Sequence, residues 1–211
     1  MEARIAMQHI LQRHVPVAAF GYCQSLWDKY QFDFVVTRPR RSKFGDFRAQ
    51  PPLREKITVN GNLNPYNFLI TYLHEIAHLE VYRGYKRKQP AHGAAWKKHF
   101  QQLLVPVMNE STFPATVLQP LLNYARDPKY STAADAALMT ALRAFDPAFV
   151  SNNPQSDLVE VSALAEGDVF KLNQKVFVRG TLRRTRVVCT EKRTQRLYTV
   201  AAHALVEKLE K

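Results

Sequence analysis

His74 and His78 stand four residues apart with a carboxylate directly after the first, in the run His74-Glu75-Ile76-Ala77-His78. On an α-helix, residues i and i+4 lie on one face. Two imidazoles so placed can aim at one point and share a metal ion. Glu75, one step round the helix, is close enough to take a proton from a water held there. That is the chemistry of metal-assisted hydrolysis. The bland alternative is an exposed helix with incidental histidines, and the flanking sequence argues against it.

Lys56-Ile57-Thr58-Val59-Asn60 reads as a short strand, and Gly61-Asn62 reads as a turn. Asn64 is a good N-cap, and Pro65 suits a first helical position. Phe68, Leu69, Ile70, Leu73, Ile76, Ala77 and Val81 then recur at helical spacing, and Gly84 reads as a C′ stop after Arg83. The motif therefore falls mid-helix on an apolar element. Unpaired polar groups are costly there, and a shared metal answers that need for both histidines.

A hydrolytic zinc site keeps three protein ligands and one open position. His92 is the expected third ligand for one Zn²⁺ ion. The chain from Leu79 to Ala91 is long enough to leave the helix and return, and His92 stands just before a second helical stretch, Gly93 to Leu104. His99 and Glu110 are its rivals. His9, His14 and His203 read as surface or core histidines.

Together, Leu73-His74-Glu75-Ile76-Ala77-His78, a short basic loop and Ala91-His92-Gly93-Ala94-Ala95-Trp96 resemble the SprT-like zinc metalloprotease family. Arg40-Arg41-Ser42-Lys43-Phe44-Gly45, followed by Ile57 to Asn60, is similar to the strand segment that leads into that family's active-site helix. The likeness covers about the first half of the chain. It implies a zincin-like core and a protease acting on proteins bound or crosslinked to DNA. Two departures stand out. Many relatives carry a C-terminal four-cysteine zinc ribbon, whereas this chain has only Cys23 and Cys189. Phe44-Gly45-Asp46-Phe47 also places Asp and Phe where relatives often have small residues or cysteine.

Charge is the second signal. The chain carries 30 Lys and Arg against 18 Asp and Glu, a net charge of +12. The excess is clustered around Arg40, Arg41 and Lys43, around Arg87, Lys88 and Lys97, and around Arg183, Arg184 and Arg186. Clustered cations attract phosphate backbones, so DNA, single-stranded or containing junctions, is the expected partner besides a protein substrate. No apolar run reaches the length of a membrane span. With two cysteines there is no disulfide framework, so a cytoplasmic, reducing setting is expected.

The expected fold class is α+β. Residues 1–106 form a zincin-like catalytic domain of helices with a small antiparallel sheet, and residues 107–150 a helical extension. Within that extension a helix is expected from Ser131, with Thr132 and Asp135 as a capping box. Ser151 to Asp157 is a turn-rich linker. Residues 151–211 form a small basic β module. Its strands are expected near 168–172, 175–179, 185–189 and 196–200, with turns at Asn173-Gln174 and at Arg179-Gly180-Thr181.

The function these features predict is a zinc metallopeptidase in which Glu75 is the general base. Tyr82, Tyr85 and His99 remain open as oxyanion helpers. The alternative of another class is a DNA-binding or regulatory protein with a structural zinc and no proteolysis. A third is a zinc peptidase whose basic face has nothing to do with DNA.

Overall fold

The computed structural model describes residues 2–40, 42–146, 158–172, 174–184, 186–202 and 204–209. The chain divides into two compact units, Met1–Pro147 and Ala148–Lys211. The Ser151 to Asp157 linker, Arg41, Asn173, Thr185 and His203 lie outside the described residues.

The first unit opens with helices α1 (Glu2–His14) and α2 (Phe20–Tyr30). Strands β1 (Asp33–Thr37), β2 (Gly45–Arg48) and β3 (Lys56–Asn60) follow and form a sheet in the order β1-β3-β2. The sheet is mixed, which corrects the expectation of an antiparallel one. β2 runs antiparallel to β3, but β1 runs parallel to it. The reason is topological: the chain lays down β2 at the far edge before β3 inserts in the middle. As the central strand, β3 buries Ile57, Thr58, Val59 and Asn60.

Helix α3 (Pro65–Gly84) starts where its cap predicts. The Asn64 side chain accepts hydrogen bonds from the amides of Tyr66 and Asn67, and Pro65 occupies the first turn. Gly84 is not a left-handed C′ residue. It closes the helix, and Tyr85 leaves it in an extended conformation. Helices α4 (Ala94–Leu104), α5 (Ala115–Arg126) and α6 (Ala136–Arg143) complete the unit. The helix expected from Ser131 starts later. Asp135 adopts extended backbone angles and caps α6 by accepting from the Leu138 amide, so Thr132–Ala134 remains a separate 3₁₀ turn. One core joins α1 to α6 and includes the fully buried Phe68, Tyr72, Trp96, Phe100 and Phe113. Burial of each such side chain stabilises by about 1.5–3 kcal/mol or more. Among the described residues no helix is long and apolar enough to cross a membrane.

The second unit is a six-stranded antiparallel sheet in the order β4-β9-β5-β6-β7-β8. Its strands are β4 (Leu158–Glu160), β5 (Val169–Leu172), β6 (Lys175–Arg183), β7 (Arg186–Glu191), β8 (Leu197–Ala201) and β9 (Leu205–Leu209). Phe170, Phe177, Val187, Cys189, Val200 and Val206 form most of its core. The turn expected at Arg179-Gly180-Thr181 is instead an irregularity inside β6, where the register with β7 shifts between Arg179 and Leu182. A Cβ on Gly180 would lie 2.6 Å from the Val188 carbonyl oxygen, so only glycine allows that backbone approach. Cys23 and Cys189 are both buried and free.

Candidate metal centre

Helix α3 supplies His74 and His78 from one face, and the segment entering α4 returns His92 to the same point. The three Nε2 atoms form a nearly equilateral triangle, 3.2 Å from His74 to His78, 3.1 Å from His78 to His92 and 3.2 Å from His92 to His74. Hydrogen bonds cannot explain it. A neutral imidazole nitrogen that carries a proton has no lone pair left to accept one, so three nitrogens cannot satisfy one another in a ring. Tetrahedral zinc with Zn–N bonds of 2.0–2.1 Å requires nitrogens about 3.3 Å apart. The donor set and its spacing therefore fit a zinc-like ion. Among the described residues no further His, Cys, Asp or Glu joins these three.

The three imidazoles are held by packing. Trp96, fully buried on the first turn of α4, donates its indole N–H to the His74 carbonyl at 3.3 Å. Its ring lies 4.6 Å from the His74 ring and 4.8 Å from that of His92. Phe47 of β2 lies nearly parallel to His78, with ring centres 6.5 Å apart. Burial lowers the pKa of all three imidazoles. That of His74 falls well below the usual histidine value, with help from its two neighbours, and that of His78 falls to about 4. Each is therefore neutral near pH 7, the form that coordinates metal.

Glu75 is buried beside the triangle but is not part of it. Burial raises its pKa to about 8, and Asp46 adds to the rise. Arg40, Lys43 and the Phe47 backbone N–H oppose it. Strand β2 fits over this carboxylate because position 45 is glycine. A Cβ there would lie 2.3 Å from Glu75 Oε1 and 2.8 Å from Thr71 Cγ2.

The rival ligands are placed elsewhere. His99 Nδ1 pairs with Glu80 Oε2 at 2.7 Å, and the Tyr30 hydroxyl donates to the other oxygen of Glu80. Glu110 is exposed and stands outside the cluster. Of the helper tyrosines, Tyr82 packs near Phe47 and Tyr85 near His99, each partly exposed. Sequence reasoning missed Tyr130, whose ring approaches His92 edge-on at 6.4 Å from the loop after α5. Only its position between two breaks in helical periodicity could have drawn attention to it.

The expected nucleic-acid contacts divide into two kinds. Arg40 is engaged inside the fold, donating to Asn60 Oδ1 at 2.7 Å and to Thr58 Oγ1 at 3.0 Å, so it fastens the loop before β2 to β3. Lys43 pairs with Asp46, and Lys97 pairs with Asp127. Arg87 and Lys88 are exposed on the loop between α3 and α4, and Arg183, Arg184 and Arg186 are exposed on the second unit.

Comparison with protein-family models, with curated proteins and with solved structures finds no match to this chain.

Proposed function

We propose that this chain is a zinc-dependent metallopeptidase of the HExxH type, with a zincin-like first unit, acting on protein substrates associated with or crosslinked to DNA. The observation that carries the reading is the convergence of three imidazole nitrogens beside one buried carboxylate that is not a ligand. When bound, the metal supplies Lewis-acid polarisation of a peptide carbonyl and lowers the pKa of a water towards about 7. His74, His78 and His92 would hold it. Trp96 fixes the rings of His74 and His92, and Phe47 backs that of His78. Once ionised, the Glu75 carboxylate, positioned by the Phe47 amide and the close approach of Gly45, accepts a proton from the attacking water and returns it to the nitrogen of the leaving amine.

A structural zinc would need a fourth protein ligand. His99 is held by Glu80 and Glu110 lies apart, which favours the catalytic reading over the structural one. The resemblance to SprT-like proteases and the exposed cations support a DNA-associated substrate.

The test is Glu75→Gln, which keeps the shape and removes the base. Hydrolysis of a basic protein is expected to fall roughly 10²–10⁴-fold, with zinc stoichiometry by atomic absorption unchanged. Equal turnover in both proteins would sink the reading.

A further inference from the structure

The second unit sorts its charges. Four cations of the sheet and its approaches face an acid: Lys171 with Glu207, Lys175 with Glu191, Arg179 with Glu166, and Lys208 with Asp168. What remains is Arg183, Arg184, Arg186, Lys192, Arg193 and Arg196, all exposed and none with an acidic partner among the described residues. They sit at only two places, the β6–β7 turn and the β7–β8 turn, which cap opposite ends of β7. From Arg186 to Glu191 the strand spans about 17 Å. Cations without an acidic partner are thus gathered into two tips joined by one strand, with Arg186 also donating to the Thr199 carbonyl oxygen at 3.3 Å, an arrangement that a uniformly solubilising surface does not require.

The surface beside them is not polar. Edge strand β8 leaves Leu197 71% exposed and Tyr198 36% exposed, and the Lys175 ammonium lies 5.2 Å from the Tyr198 ring centre. Next to the β7–β8 tip is an open groove of about 740 Å³ lined by three cations, Lys175, Lys192 and Arg193, and by one acid, Glu191, which pairs with Lys175. Cations track phosphates. An apolar and aromatic edge beside the β7–β8 tip offers a resting place for bases, which only an unpaired strand can present. A duplex would offer its phosphates and leave that edge unused.

We propose that the C-terminal sheet is a binding site for single-stranded nucleic acid, gripped at the two cationic tips of β7 with bases lying against the β8 edge. The site needs neither zinc nor Glu75 and stands whether or not the first unit is a peptidase.

The test uses the full chain and a labelled oligothymidylate of about a dozen nucleotides, within the span that small β modules bind, titrated by fluorescence anisotropy across a salt series. Arg183→Glu combined with Arg193→Glu changes one exposed side chain on each tip. Affinity is expected to drop at least tenfold, and the slope of log affinity against log salt to flatten by roughly 1.4, two contacts at about 0.7 each. Circular dichroism should be unchanged. Glu75→Gln should bind like the parent, which separates this site from the proposed peptidase. The proposal is overturned if the double variant binds undiminished, if a duplex of equal length or a phosphatidylserine vesicle binds as tightly as the single strand, or if Glu75→Gln abolishes binding.

Discussion

The two units treat charge in opposite ways. In the first, the groups that matter are withdrawn from solvent wholly or in part and over-determined: three half-buried imidazoles set by Trp96 and Phe47, a buried carboxylate under Gly45, and a half-buried arginine, Arg40, hydrogen-bonded on both sides of its guanidinium. In the second, four cations are paired with acids, and the surplus cations stand exposed at the two ends of β7 with no acidic partner among the described residues. Chemistry on bonds needs positions held to a fraction of an ångström. Attraction of a flexible polyanion needs only charge of one sign in roughly the right place. The contrast matches the two proposals, a peptidase centre in the first unit and a nucleic-acid site in the second.

The strongest way to break that contrast is to remove a ligand. His92→Ala should weaken zinc binding by more than the roughly 100-fold seen when a residue that merely supports a ligand is lost. Equilibrium dialysis checks it, and retained affinity would mean that the triangle does not define the site. Gly45→Ala should follow. Its Cβ meets Glu75 and Thr71 inside a packed strand–helix contact, so a loss of about 1–3 kcal/mol in chemical denaturation is expected, together with impaired hydrolysis. A neutral result would show that β2 is free to move.

Metal-free protein offers a third test, with a definite sign. His78, lowered from 6.5 to about 4, contributes stability that is present above about pH 6.5 and lost as pH falls through about 4. Glu75, raised from 4.5 to about 8, contributes stability that is present below about pH 4.5 and lost as pH rises through about 8. The unfolding midpoint of chelated protein should therefore decline on both sides, and Glu75→Gln should remove only the alkaline decline. An unchanged alkaline limb would contradict the buried position of Glu75. The smallest effect is expected from His99→Gln. It breaks the link to Glu80 and should cost about 1–2 kcal/mol while leaving zinc stoichiometry intact. Loss of metal there would reassign His99 as a ligand.

The parts legible in the sequence were those set by local rules. Helical periodicity, the Asn64-Pro65 start and the i, i+4 histidines announced α3, and the loop length to His92 announced its return. Contacts made across the fold left no local trace. Nothing near Gly45 says that Glu75 will lie against it, and nothing around Tyr130 says that it will face His92. The mixed sheet was missed because strand direction depends on the order of insertion, which alternation does not encode. β4 was missed because it has three residues, and β9 because it becomes a strand only by pairing with the distant β4 and β5. Among the expected phosphate contacts, composition could not separate Arg40, an internal fastener, from Arg183, an exposed cation.

Asn64 does more than cap α3. Its amide nitrogen also donates to the Leu142 carbonyl and to Asp146 Oδ1, each at 2.7 Å. The helix that carries two of the three clustered histidines is therefore tied at its N-cap to the end of α6. A fragment cut after residue 106 would contain all three clustered histidines and still lose the anchor at the root of the helix. The shortest expression fragment worth making for the metal centre runs through Asp146.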